Sequence, residues 1–182
     1  MSVRRWCVMV LSLCMSLLAP RAARAQQQEN CRQQIPRNVD AGMLAPEMRS
    51  LLKRSGTFRS QCERLAAEPH VHVKLDVVYM LESGRAQTAI HRYPSGILSA
   101  EVAVLFGENY RELLGHEFEH VIEQLDGVNL RQEAAEGRAW LLPGGAFETR
   151  RAFATGVQVL REYEPLHVTA PVLTASRANG HR

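Results

Sequence analysis

Beyond its first 25 residues the sequence has little cysteine, no excess of positive charge and no apolar run of membrane-spanning length. Each shortage excludes a class of protein. The missing run argues against a stable transmembrane helix, which needs roughly 20 consecutive apolar residues. Only residues 6–19 approach that length, and their setting is that of an export signal. Arg4 and Arg5 precede them, and Ala23-Arg24-Ala25 supplies a small-x-small cleavage pattern. Leu13 before Cys14 is too large for a lipid-attachment motif, and the residues after Arg4-Arg5 fit a twin-arginine signal poorly. The expectation is an exported protein, periplasmic or extracellular, cleaved near Ala25.

Four arginines and no acid leave with that segment. The 22 basic and 19 acidic residues then become 18 and 19, and the formal charge falls from +3 to −1. Nucleic-acid binding loses its electrostatic footing. Of the four cysteines, Cys7 and Cys14 lie in the signal. Cys31 and Cys62 are expected to form one disulfide in an oxidising compartment. Neither has a partner at zinc-ligand spacing. Repeats and low-complexity segments are absent as well.

What is present is one domain of ordinary size. Residues 1–25 read as the signal peptide, 26–45 as a mobile N-terminal arm and 46–182 as the folded domain. Residues 46–53 and 58–67 suit short helices, with Pro46 tolerated in a first turn. Residues 70–81, 86–92 and 97–106 are expected strands, separated by turn-rich Glu82-Ser83-Gly84-Arg85 and Tyr93-Pro94-Ser95-Gly96. Asn109 can cap a helix that runs to Asp126-Gly127, and a second helix is expected over 146–163. The fold class is α+β: about three strands in a mixed sheet, packed on the first long helix and on a C-terminal one.

The first long helix contains His116-Glu117-Phe118-Glu119-His120. With about 100 degrees per residue, Leu114, Val121, Ile122 and Leu125 fall within about 60 degrees of Phe118 and form the core stripe. His116 and His120 lie about 160 and 200 degrees round, on the opposite side. Two imidazoles one turn apart can share one Zn²⁺ at about 2.1 Å. Glu117 flanks them, where a carboxylate can take a proton from a zinc-activated water and return it to a leaving amine. Glu123 could steady an imidazole, but for Glu112, Glu119 and Glu123 the expectation is a solvated helix face.

Through this motif the sequence resembles the zincin metallopeptidases. The metzincin branch would need Gly where Glu123 stands and a methionine after the helix, whereas Met80 is the last methionine. The gluzincin-like branch implies a third ligand from a Glu on a downstream helix. Glu148 fits, with small residues Gly145, Ala152, Thr155 and Gly156 on its expected face. Glu136 and Asp126 remain alternative third ligands. The resemblance implies zinc as cofactor, a peptide or protein substrate, and a sheet-edge strand before the metal helix, here 97–106, that binds extended substrate. Tyr163 and His167 are candidate oxyanion stabilisers. The expected function is an exported zinc metallopeptidase with Glu117 as general base. The alternatives are a non-catalytic metal-binding or interaction protein of the same fold, and an amidase acting on cell-wall peptides.

Overall fold

The computed structural model describes residues 34–142 and 145–164. The export signal, Cys31 and His167 lie outside them. The chain runs β1 (Val39–Asp40), a 3-10 turn (Gly42–Leu44), α1 (Ala45–Arg54), α2 (Gly56–Ala66), β2 (Val71–Val78), β3 (Ala86–Arg92) and β4 (Leu98–Leu105). It continues through α3 (Tyr110–Leu125), α4 (Leu130–Ala135), β5 (Ala139–Leu141), β6 (Phe147–Thr149) and α5 (Arg150–Tyr163).

Four strands form one mixed sheet in the order β1-β2-β4-β3. Strand β2 alternates, burying Val71, Val73 and Leu75 while His72, Lys74 and Asp76 face solvent. Strand β4 buries Leu98, Ala100, Val102 and Val104 on the same side. These two strands run parallel, from Val71 opposite Leu98 to Val78 opposite Leu105. A parallel pair needs a crossover between its members. Here the crossover contains β3, which returns antiparallel on the far side of β4.

Strand β4 is therefore central, and β3 is an edge. This corrects the expectation that 97–106 would offer a free edge to substrate, since both of its sides are already paired. A second correction concerns the arm. Val39 and Asp40 pair with Val73 and Lys74, and Leu44 is buried, so the folded domain begins inside the 26–45 segment.

The buried sheet face receives Met48, Leu51 and Leu52 from α1 and Phe58 and Leu65 from α2. Helix α3 joins the same core through Leu114, Phe118, Val121 and Ile122. Phe58 and Phe118 stack with centroids 5.3 Å apart. Burying each such ring contributes about 1.5–3 kcal/mol.

The other side of α3 is covered by α5. Their crossing is close because glycine faces each contact. A Cβ on Gly115 would stand 2.7 Å from Val159 Cγ2, and one on Gly156 would stand 2.9 Å from the Glu112 carbonyl oxygen. Helix α5 starts at Arg150, four residues later than expected. Thr149 ends the strand before it and caps the helix, accepting from the Ala152 N–H at 3.0 Å. Strands β5 and β6 pair antiparallel, Ala139 opposite Thr149 and Leu141 opposite Phe147, as a hairpin.

Candidate metal centre

Helix α3 starts at Asn109, whose side chain accepts from the Arg111 N–H at 3.3 Å. Its core stripe holds the helix on the sheet and turns His116, Glu117 and His120 toward β3 and the β5–β6 hairpin. Glu148, the middle residue of β6, reaches the same point from the hairpin. Glu148 Oε2 is 3.1 Å from His116 Nε2, and its Oε1 is 3.6 Å from His120 Nε2. One donor atom from each of these three residues lies within 4.8 Å of the others. Glu148 thus joins the histidines from a strand, where a helix was expected.

The donor set fits zinc. Bonds of about 2.1 Å in a tetrahedron place neighbouring donors about 3.4 Å apart, close to the spacings found here. Two imidazole nitrogens and one carboxylate oxygen would leave a fourth position of a tetrahedron open. His120 is already oriented for it. Its Nδ1 lies 3.0 Å from Glu123 Oε2, which leaves Nε2 toward Glu148. Glu123 Oε1 in turn accepts from Thr149 Oγ1 at 2.7 Å.

Glu117 is buried beside the histidines. Thr88 Oγ1 on β3 donates to Glu117 Oε2 at 2.6 Å, while Oε1 stands 3.9 Å from His116 Nε2. Burial pushes the Glu117 carboxyl above its usual range, against the pull of the imidazoles and of Thr88. Burial opposes charge on His120, but the carboxylates of Glu123 and Glu148 outweigh it and hold the imidazole at about 10. Burial likewise works against the Glu148 anion. Its contacts with His116 and His120 win, and its pKa lies at about 2. Three carboxylates, Glu117, Glu123 and Glu148, thus stand against the two imidazoles.

These groups line a cavity of about 300 Å³. Gln87, Thr88 and Ile90 of β3 form one wall, and Leu130, Leu142 and Phe147 form an apolar wall opposite.

The alternative ligands are elsewhere. Glu136 pairs with Arg138, and Asp126 with Arg64 and Arg151. Tyr163 sits at the far end of α5, its hydroxyl 3.0 Å from Ser50 Oγ and its ring beneath Arg54 and Arg111. That position anchors α5 to α1 and does not border the cavity, so Tyr163 cannot serve as oxyanion stabiliser in this arrangement. Cys62 is buried, with its thiol pushed up by that burial.

The expectation of a solvated face for Glu119 and Glu123 is also overturned. Glu123 is 2 % exposed and Glu119 7 %. Glu119 accepts from Gln61 Nε2 at 2.7 Å and Arg151 Nε at 2.6 Å. Only Glu112 stays near the surface, paired with Arg85. Thr88 and Thr149 were not among the expected site residues. The signal available for Thr149 was a Thr three residues before Ala152, at N-cap spacing, after a Pro-Gly pair in the sequence. No sequence signal marks Thr88.

Compared with known protein families, curated proteins and solved structures, the chain matches none.

Proposed function

We propose that this chain is a zincin-like, zinc-dependent hydrolase, and within that class an exported metallopeptidase. The observation that carries the reading is the convergence of His116, His120 and Glu148 donors within 4.8 Å beside the buried carboxylate of Glu117. Zinc, when bound by these three residues, supplies Lewis acidity and brings the pKa of a coordinated water toward neutrality.

The chain's own groups do the rest. Glu117 takes the proton of the attacking water and hands it to the leaving amine. Thr88 holds one carboxylate oxygen and leaves the other directed at the histidines. Among the described residues no strand pairs with the outer edge of β3. Its free N–H and C=O groups can therefore hold an extended peptide along the cavity. A strand-like substrate is the reason for preferring a peptidase. Export follows from the sequence signal ending near Ala25.

The test is zinc content by elemental analysis of the mature protein, followed by a peptide-library digest. About one zinc per chain, and cleavage abolished by Glu117→Gln with zinc retained, are the expected results. A zinc-loaded wild type that cleaves nothing in the library would leave a metal-binding protein and remove the peptidase.

A further inference from the structure

Thr149 stands where the proposed zinc ligands and the start of α5 meet, and its N–H and hydroxyl are both engaged. Its backbone N–H donates to Glu148 Oε1 at 2.8 Å. Its hydroxyl donates to Glu123 Oε1 at 2.7 Å and accepts from the Ala152 N–H at 3.0 Å. Glu123 then uses its other oxygen on His120 Nδ1 at 3.0 Å. Thr149 is 3 % exposed and Glu123 2 %. A carboxylate buried so deeply needs donors, and here each oxygen has one.

We propose that Thr149 is a positioning residue for the metal site, its hydroxyl fixing Glu123 so that Glu123 fixes His120. The inference rests on the zinc reading above. Its physical basis is a chain of three hydrogen bonds running from the first turn of α5 to an imidazole on α3. The α5 N-terminus lends partial positive charge to the Thr149 hydroxyl and makes it a better donor to the carboxylate. Without that donor, Glu123 can turn away from His120. That change removes the acceptor that keeps Nδ1 occupied and Nε2 directed at the metal position. Capping of α5 and zinc binding are therefore linked through one side chain: zinc should stabilise the α5 start, and an intact cap should raise zinc affinity.

The experiment is zinc affinity by competition with a chromophoric chelator, for wild type and four variants whose folding is checked by circular dichroism. Thr149→Val keeps the shape and loses the hydroxyl, and zinc should bind roughly 10- to 100-fold more weakly, as for other partners of metal-bound histidines. Thr149→Ser should stay within a few-fold of wild type. Ser55→Ala removes a comparable cap from α2, where Ser55 Oγ accepts from the Phe58 N–H, and should lower the melting temperature without changing zinc affinity. Thr149→Gly, which costs a helix cap little, carries the same test if Thr149→Val does not fold.

Wild-type affinity in a folded Thr149→Val or Thr149→Gly overturns the inference. So does an equal loss in Ser55→Ala, which would reduce the effect to general destabilisation. A wild type that binds no zinc overturns the site itself, an outcome separate from either.

Discussion

A Cβ built on Gly156 stands 3.0 Å from the Cβ of His116, so α5 presses on α3 at one of the proposed metal ligands. Alanine is the better helix former by about 1 kcal/mol, yet here its methyl would also meet the Glu112 carbonyl oxygen at 2.9 Å. Backbone cannot rotate aside as a side chain can. Overpacking of this kind costs about 1–3 kcal/mol, enough to outweigh the propensity gain. Gly156→Ala should lower the melting temperature and weaken zinc binding together. Gly115→Ala meets only the Val159 side chain, so Val159→Ala should restore much of its stability. Melting curves with and without zinc test both, and an unaltered zinc affinity in Gly156→Ala would break the link to His116.

The choice of third ligand separates by charge partner. Glu136 and Asp126 are tied to arginines outside the cavity, whereas Glu148 faces two imidazoles. Elemental analysis after dialysis against a weak chelator should find zinc lost from Glu148→Ala and retained in Glu136→Ala and Asp126→Ala. Retention in Glu148→Ala would reassign the ligand.

How much of this was legible in the sequence depends on the range of each signal. The 3.6-residue period of Leu114, Phe118 and Val121 gives α3 and the side on which His116 and His120 stand. Turn residues on both flanks mark β3, whose limits Ala86–Arg92 match the expectation. Strand order has no such local signature. Nothing within residues 97–106 says that β3 folds back onto its outer side. The burial of Glu119 and Glu123 is equally nonlocal, because it depends on α5 covering a helix face that carries charge. Glu148 lies beside both histidines, on a strand where a helix was expected. Three strand residues, the last of them the helix cap Thr149, are too few to show a period, and the helical run that follows absorbs them.

Thr88 should separate binding from turnover. Its hydroxyl donates to Glu117, which is not one of the three proposed zinc donors. A hydrogen bond to a charged group is worth about 1.5–3 kcal/mol, and each 1.4 kcal/mol corresponds to about tenfold in rate. Thr88→Val should retain zinc while kcat falls roughly 10- to 100-fold. Thr88→Ser should recover most of it. A Thr88→Val protein that loses zinc as well would show a wider structural role for the contact.

Cys62 lines a cavity together with Gln34 and Ile35. Cys31 is three residues before Gln34 in the sequence, a chain reach of about 10 Å for the proposed bridge to Cys62. Intact mass before and after reduction and alkylation should reveal one bridge in protein purified from an oxidising compartment. Losing it should cost about 3–4 kcal/mol for a loop of this length. Two free thiols in such protein would remove the bridge.

The acid limit of the fold can be tested far from the proposed metal site. Glu162 on α5 accepts from Ser55 Oγ at 2.6 Å, the Thr57 N–H at 2.9 Å and Thr57 Oγ1 at 2.8 Å, and so ties α5 to the start of α2. Burial opposes its charge, but these donors and Gln158 prevail and bring its pKa from 4.5 down to about 2. A carboxyl depressed in the folded state binds fewer protons there than in the unfolded chain. Its contribution is thus complete above about pH 4.5 and disappears as pH falls toward 2. Glu162→Gln should melt lower than wild type at pH 7, and the gap should narrow steadily below pH 4.5. Urea melts in acetate and glycine buffers measure it, and a gap that stays constant to pH 3 would mean that the amide loses packing and hydrogen-bond geometry, with charge contributing little.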